Sequence, residues 1–242
     1  PRLDDIQTSL GIDKSELGFL LLCIPLGLQV TLVFADKLVR AIPLKNIICI
    51  GVPSICFMQF AAVAINQIAF FVFFLILCGA LVAVVEVAIN LEADRVEHAL
   101  GTRIMNRSHA FWSIGFFLAA VVGALLSQFK VMLEIHFLLI CAISFLTSKI
   151  IFEDYAVASP RHSNVTTIKK FSLPTGPIFV MVLFTMAAML VEGASIDWSV
   201  IFMREVHYAS PFISGFSLAM AAFSQALVRF FGDNLLNKFG PV

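Results

Sequence analysis

Seven long apolar stretches alternate with short polar segments along the chain. They cover residues 17–35, 46–65, 68–90, 108–127, 131–152, 177–202 and 211–231. Each stretch is close to the length of about 20 residues with which an α-helix crosses the hydrocarbon core of a bilayer. None shows the strict alternation of a membrane strand, and a helix satisfies its own backbone hydrogen bonds in lipid. The pattern therefore predicts an all-α polytopic membrane bundle.

Composition agrees with a membrane protein and excludes several other classes. The chain of 242 residues is 60% hydrophobic and 13% charged, whereas soluble domains carry about 25% charged residues. Its 16 Lys+Arg balance its 16 Asp+Glu, so no basic surface for nucleic acid is expected. The five Cys lie in apolar stretches without ligand spacing, and no catalytic motif is present. We therefore expect no metal, no cofactor and no enzymatic activity.

The basic residues predict the orientation of the bundle. Four of the 16 Lys+Arg lie on one side of the predicted spans: Arg2, Lys14, Lys130 and Arg204. The other twelve lie on the opposite side: Lys37, Arg40, Lys45, Arg95, Arg103, Arg107, Lys149, Arg161, Lys169, Lys170, Arg229 and Lys238. Because cytoplasmic loops are enriched in Lys and Arg, this second side and the C-terminus are predicted to face the cytoplasm. The N-terminal segment 1–16 is predicted to lie outside.

A polar segment and a weak repeat predict two related halves. Residues 153–176 separate two apolar blocks and are predicted to form a cytoplasmic linker between residues 1–152 and 177–242. An offset of 197 residues aligns the first and last spans, with Gly18 matching Gly215 and Asp36 matching Asp233. Such repeats of helical bundles are typical of secondary transporters. The chain begins with Pro1 rather than Met, and we expect it to be a fragment.

Several strings resemble the major facilitator superfamily. FADKLVR after the first span and GDNLLNKFG after the last are similar to its repeated loop motif, in which Asp36 and Asp233 match the acid. Lys37 and Arg40 match basic positions, while Leu32 and Val39 replace glycines of the first copy. The string VVEVAINLEADRVE is similar to the fourth helix of the fucose:proton symporter branch. EGASIDWSVIFMRE resembles the seventh helix of a related bacterial branch.

This resemblance implies both an architecture and an activity. The seven spans would be helices two to eight of twelve, in two pseudo-symmetric halves of which the first helix and the last four are missing. The implied protein is a secondary transporter of a small polar solute such as a sugar, coupled to protons and working by alternating access. Its partners would be the solute, protons and the lipid bilayer of a bacterial inner membrane. The motif residues Asp36, Lys37, Arg40 and Asp233 are expected to form a cytoplasmic gate.

Glu86 is the candidate for proton coupling. It lies within the third span, and Asn90 follows on the same helical face. A charged group at membrane depth costs at least about 2.5 kcal/mol, so such residues usually face the bundle interior and mark ion paths. The resemblance implies the same role for Glu86. The alternative is a structural acid near the interface that pairs with Arg95 or Arg107.

Other polar residues in the spans are candidates for the solute cavity. Glu192 and Asp197 point about 140° apart on a helix and reach one ligand together only if the helix breaks near Gly193. Arg229 either extends to water at the membrane interface or binds an anion. Trp198 is either a stacking surface or an interfacial anchor. The full set of candidates is Gln29, Asn90, Glu192, Asp197, Trp198, Gln225 and Arg229.

Two further expectations concern helix contacts and the cytoplasmic side. Small residues at Gly115, Ala119, Gly123 and Ser127 predict a face for close helix packing. The charged residues that follow the third span are expected to form a solvated loop with weak ion pairs. They are Glu92, Asp94, Arg95, Glu97, Arg103 and Arg107.

The alternative from another class is a seven-helix receptor or light sensor. The number of spans and the outside N-terminus favour it. A retinal protein needs a buried Lys for its Schiff base, and no Lys lies deep in any predicted span, since Lys149 is near an end. A repeat across a cytoplasmic linker is also not expected in a receptor.

Overall fold

The chain folds into long helices joined by short connections. The computed structural model describes residues 2–160 and 175–240, which contain no strand. The predicted all-α class is therefore confirmed. The helices in the described part of the chain are α1 (Leu3–Leu10), α2 (Lys14–Leu21), α3 (Cys23–Ala41), α4 (Leu44–Ile65), α5 (Ile68–Leu100), α6 (Met105–Gln128), α7 (Leu133–Phe152), α8 (Gly176–Glu205) and α9 (Pro211–Phe239).

In the described part of the chain, seven helical segments are long and apolar enough to cross a membrane, as predicted. Helices α2 and α3 together form the first of them, Lys14–Ala41. The helices extend beyond the predicted stretches, most of all in α5, which has 33 residues. At about 1.5 Å per residue, α5 is about 50 Å long, well beyond a hydrocarbon core of about 30 Å. Its last turns therefore lie outside the membrane core.

The N-terminal segment contains structure that the hydropathy pattern does not reveal. Helix α1 ends at Gly11, whose φ of 64° is the left-handed conformation that glycine adopts readily. Asp13 then begins α2 with a capping box, in which its side chain accepts from the Glu16 backbone N–H. Residues 2–16 thus contain a short helix and the start of a second helix.

The first membrane segment is interrupted at Leu22, between α2 and α3. Pro25 explains the interruption, because its missing N–H leaves the carbonyl of Leu21 without a helical partner. Helix α2 is regular up to Leu21, and the helix resumes at Cys23. The sequence around Pro25 therefore produces a break within a single membrane crossing.

Helices α3 and α5 cross at two glycines that allow backbone contact. A Cβ atom on Gly27 would lie 2.0 Å from the carbonyl oxygen of Ile76, and one on Gly79 would lie 2.0 Å from that of Ile24. Neither carbonyl can move without displacing its helix. Because lipid provides little driving force for helix association, such close approach is a main source of packing energy in the membrane.

A proline in α4 also creates a contact between helices. Pro53 lies inside α4 and has no N–H for the carbonyl of Cys49. The hydroxyl of Ser148 on α7 donates a 2.6 Å hydrogen bond to this carbonyl, and Ser148 is buried. The polar group that Pro53 leaves unpaired therefore links α4 to α7, which is how membrane helices tolerate proline.

The helices pack in two groups. In one group, α5 packs against α3 and α4, and α4 packs against α7; in the other, α9 packs against α6 and α8. The α6–α9 contact crosses the predicted boundary between residues 1–152 and 177–242. Arg161, His162, Lys169 and Lys170 of the predicted linker lie outside the described residues. The division into halves and a linker remains a prediction.

The small-residue face of α6 is partly different from the predicted one. Gly123 and Ser127 are buried, but Gly115 and Ala119 are exposed. Residues spaced strictly by four are rotated by about 40° per step around a helix. Over several steps they therefore no longer lie on one straight contact face. The buried positions instead alternate steps of three and four, and include Ser113, Ala120, Gly123, Ala124 and Ser127.

We expect Gly79→Ala to destabilise the bundle, because its new Cβ would force α5 away from the α3 backbone. Overpacking of this kind costs about 1–3 kcal/mol. Gly115→Ala is the matched control, since a Cβ at Gly115 meets nothing within 4 Å. Thermal unfolding of the purified protein in detergent measures both. Equal melting temperatures for the two variants would contradict the close crossing.

Candidate functional site

Four side chains from three helices form one charged cluster, here called the interhelical cluster: Trp112, Ser113, Glu192 and Arg229. Arg229 Nη1 donates to Ser113 Oγ at 2.8 Å, and Arg229 Nη2 lies 3.6 Å from Glu192 Oε1. The guanidinium carbon lies 5.6 Å from the centre of the Trp112 ring. Trp112 and Ser113 are on α6, Glu192 is on α8 and Arg229 is on α9. The cluster therefore joins the two predicted halves.

The guanidinium of Arg229 suits this position. Its planar group stacks on an aromatic ring and donates in several directions at once. Ser113 is fully buried and donates its own hydroxyl to the carbonyl of His109 at 3.1 Å, which leaves its oxygen free to accept from Arg229. The side chains of Arg229 and Glu192 are 28% and 30% exposed. The pair is thus satisfied by protein groups but still open to a small polar molecule.

The sequence left two alternatives for Arg229, extension to water at the membrane interface or binding of an anion, and both remain predictions. Its partners in the structure are side chains of the neighbouring helices α6 and α8. An Arg–Glu pair inside a membrane protein stabilises weakly when partly exposed and is costly to break by removing one partner. Arg229 therefore stays a predicted candidate for solute recognition.

Glu86, Asn90 and Gln29 lie apart from the interhelical cluster. Glu86 and Asn90 share an exposed face of α5, and Gln29 is exposed on α3. Among the residues that the structure describes, no side chain pairs with Glu86, so the alternative of a structural ion pair with Arg95 or Arg107 is not observed. A carboxylate within a membrane span either contacts water or is protonated, because exposing its charge to lipid costs free energy.

The remaining cavity candidates are distributed along α8 and α9. Helix α8 continues without a break through Gly193, so Glu192 and Asp197 point in different directions and only Glu192 reaches the interhelical cluster. Trp198 lies against Gly18 of α2, within 3.9 Å of where a Cβ of Gly18 would be. Gln225 is half-buried one turn before Arg229 on α9.

The two copies of the gate motif have different surroundings. Asp233 is 2% exposed and accepts a 2.7 Å hydrogen bond from Asn106 Nδ2 at the start of α6. Asp36 is 76% exposed and pairs only with Arg40, one turn along its own helix, at 3.0 Å. Lys37 is exposed beside them. Among the described residues, only the second copy therefore links two helices.

A network at the N-terminal end of the bundle was not expected from the sequence. It is here called the N-terminal network and consists of Arg2, Asp4, Asp5, Ser127 and Arg204. Arg204 pairs with Asp4, lies 3.5 Å from Asp5, and donates to Ser127 Oγ at 2.8 Å. Ser127 in turn donates to Asp5 at 2.9 Å, and Arg2 pairs with Asp5 and donates to the carbonyl of Val131 at 2.7 Å. The network joins α1, α6 and α8.

A second ion pair lies at the same end. Lys14 at the start of α2 pairs with Glu205 at the end of α8. Three of the four basic residues predicted to lie outside are therefore neutralised by acids. The signal in the sequence was the set of acids at positions 4, 5 and 205, close to the ends of apolar segments. Sequence alone does not say which ends meet.

The prediction of a solvated loop after the third span is wrong for the first residues of that segment. Residues up to Leu100 continue α5, and Glu92 is 6% exposed. Glu92 Oε1 accepts from the Tyr155 hydroxyl at 2.6 Å and from the Ala158 N–H at 2.7 Å. Burial, followed by the hydrogen bond to Glu92, raises the pKa of Tyr155 to about 12. Tyr155 therefore remains a hydrogen-bond donor throughout the physiological pH range.

Glu97, another residue of that segment, caps the next helix. Its Oε2 accepts from the backbone N–H groups of Ile104 and Met105, at 2.9 and 3.1 Å. These are among the first N–H groups of α6, which have no partner within the helix. The acid also lies favourably at the positive end of the helix dipole. Glu92 and Glu97 thus fix the connections after α7 and before α6.

Residues 3–242 match the family profile described as Major Facilitator Superfamily. This chain belongs to that superfamily. Membership confirms the fold expected from the loop motif and the helix strings, and it is consistent with a transporter rather than an enzyme. It decides against the seven-helix receptor.

Two bacterial proteins are similar to this superfamily chain over nearly all its length. One, from Yersinia pestis, is described as an uncharacterized MFS-type transporter and is 26% identical over 249 residues. The other, from Sinorhizobium fredii, is described as an uncharacterized transporter and is 27% identical over 247 residues. Each alignment covers 99% of this chain, but only 62% and 63% of the relative. The chain thus spans less than two thirds of these relatives. No solved structure matches it.

We expect Arg204→Gln to loosen the N-terminal end, because it removes the charge that holds Asp4, Asp5 and Ser127 together. Ile201, one turn earlier on α8, is 4% exposed. In a cysteine-free background, the maleimide labelling rate of Ile201→Cys should rise several-fold with Arg204→Gln. Arg103→Gln, at the opposite end, is the matched control and should leave the rate unchanged. An equal rate in both variants would show that the network does not hold this end closed.

Proposed function

We propose that the full-length protein is a proton-coupled secondary transporter of a small polar solute, with the interhelical cluster as part of its solute site. The observation that carries the proposal is the Arg229–Glu192 pair, which lies between α6 of the first predicted half and α8 and α9 of the second. Alternating access requires a site that both halves contribute to, so that rocking of one half against the other changes its exposure.

The chemistry of the cluster indicates which solutes it suits. Arg229 offers donors to a carboxylate, a phosphate or a hydroxyl, and Glu192 accepts from hydroxyls. Trp112 offers an apolar ring face to a sugar or another flat polar molecule. A solute with hydroxyl groups and an apolar face would satisfy all three side chains. Sugars and sugar acids fit this description, and the bacterial relatives are consistent with an inner-membrane location.

The proposed order of events couples the two ends of the bundle. The N-terminal network and the Lys14–Glu205 pair join α8 to α1, α2 and α6, so ion pairs hold together this end, which is predicted to face outward. Opening it requires these ion pairs to separate. The opposite end would then close through the motif residues around Asp36 and Asp233. The solute at the interhelical cluster would meet each side in turn.

Glu86 is the proposed proton-coupling residue. It has no partner among the described side chains, and the face that it shares with Asn90 is open. Protonation would remove the cost of its charge during the conformational change, when water access is lost. This role rests on its position in α5 and on its likeness to the symporter branch.

We expect Arg229→Gln to weaken solute binding by about 10- to 100-fold, which corresponds to the loss of a charged hydrogen bond. Glu192→Gln alone leaves Arg229 without its counter-ion and should lower stability as well. The double variant Arg229→Gln with Glu192→Gln should restore stability but not binding. Binding is measured by calorimetry over a panel of sugars, sugar acids and small anions. Wild-type affinity in the double variant would contradict the solute site.

We expect Glu86→Gln to abolish transport driven by a pH gradient while leaving solute exchange between equal concentrations intact. The neutral amide mimics the protonated acid and cannot release a proton. Counterflow and proton uptake in proteoliposomes measure the two activities. The matched control is Glu134→Gln at the start of α7. Proton-driven uptake that survives Glu86→Gln would exclude Glu86 as the coupling residue.

A further inference from the structure

An apolar groove of about 730 Å³ lies between α4 and α7, away from the interhelical cluster. Its walls are almost entirely apolar, and include Ile50, Pro53, Phe57, Leu138 and Phe145. Helix α7 packs mainly against α4, and α4 packs against α5 and α7. The groove is therefore on the periphery of the described bundle, on the opposite side of α4 and α5 from the α6–α9 contact.

The groove has a basic end. Lys45, in the first turn of α4, and Lys149, in the last turn of α7, both line it, together with Glu153. Lys45 Nζ donates to the backbone carbonyl of Glu153 at 3.0 Å. No side chain in the described part of the chain pairs with the Lys149 ammonium. Two ammonium groups and one carboxylate thus surround the predicted cytoplasmic mouth, and the remaining donors of both lysines are available to an anion.

The length of the groove matches one leaflet. From Lys45 to Phe57 along α4 is 12 residues, or about 18 Å at 1.5 Å per residue. Half of a hydrocarbon core of about 30 Å is about 15 Å. The groove thus begins at the predicted cytoplasmic head-group level and ends near the bilayer midplane. The Ser148 hydrogen bond to the Cys49 carbonyl links α4 and α7, the two helices that form its walls.

We propose that this groove binds an anionic phospholipid of the cytoplasmic leaflet, with its phosphate between Lys45 and Lys149 and one acyl chain along α4 and α7. Basic pockets between membrane helices on the cytoplasmic side bind anionic head groups. The apolar walls alone would accept any acyl chain, whereas the lysines at the mouth select an anionic head group. A covering helix or a second copy of the chain would not require paired ammonium groups at this position.

The charge part of the proposal is tested on the delipidated full-length protein by native mass spectrometry. The probes are phosphatidylglycerol, phosphatidylcholine and glycerol phosphate. Binding of phosphatidylglycerol should exceed that of phosphatidylcholine and should fall about five-fold for each lysine removed by Lys45→Ala and Lys149→Ala. Lys45→Arg with Lys149→Arg should retain it. Lys37→Ala, on the same side but outside the groove, is the matched control.

The acyl-chain part needs a second variant, which also guards against misfolding of the lysine variants. Ala142 lines the groove and Ile143, its neighbour on α7, does not. Ala142→Trp should fill the groove and abolish phosphatidylglycerol binding, while Ile143→Trp should not. Equal binding of both phospholipids, or undiminished binding in Ala142→Trp, would overturn the proposal. Glycerol phosphate binding as tightly as phosphatidylglycerol would identify a free-anion site and would also overturn it.

Discussion

The absence of water from the bilayer core is the constraint on which the rest of this structure depends. Each backbone N–H and C=O within the core needs a partner from the protein itself, which is why the spans are helices. Where a residue removes such a partner, another side chain supplies it. Pro53 leaves the Cys49 carbonyl unpaired, and Ser148 of α7 donates to it. The requirement that each backbone group has a partner therefore also links helices to one another.

The same constraint explains why the helices meet at small residues. Apolar side chains gain little by leaving lipid for protein, so close backbone approach and polar contacts provide the specificity of packing. Gly27 and Gly79 bring the α3 and α5 backbones together. On α6, small buried residues allow α9 to lie alongside. These two crossings place α5 and α9, and with them Glu86 and Arg229, in the bundle.

Charges in this molecule fall into three environments with different consequences. The N-terminal network lies at one end, where several acids and bases neutralise one another and join α1, α6 and α8. At the other end Glu92 and Glu97 satisfy backbone and hydroxyl donors around α5. Between them, Arg229 and Glu192 are paired inside the bundle but still about 30% exposed. Among the described residues, this third environment combines a partly exposed ion pair with the ring face of Trp112 and draws on both predicted halves, and we therefore take it as the candidate for solute contact.

The sequence determined the parts of this protein that depend on local composition. The number of spans, the helical class and the position of Glu86 and Arg229 within spans follow from hydropathy. Each membrane helix must be apolar over the thickness of the bilayer and must pair its own backbone groups, which are local properties of the sequence. Helix α1 was missed because an eight-residue helix has no membrane signal, and the buried state of Glu92 was missed because its partner Tyr155 is distant in the chain. Only the tertiary structure decided that Arg229 meets Glu192, and that Asp233 is buried while Asp36 is exposed. Those outcomes depend on which helices lie side by side, and contact between distant segments leaves no local pattern in the sequence.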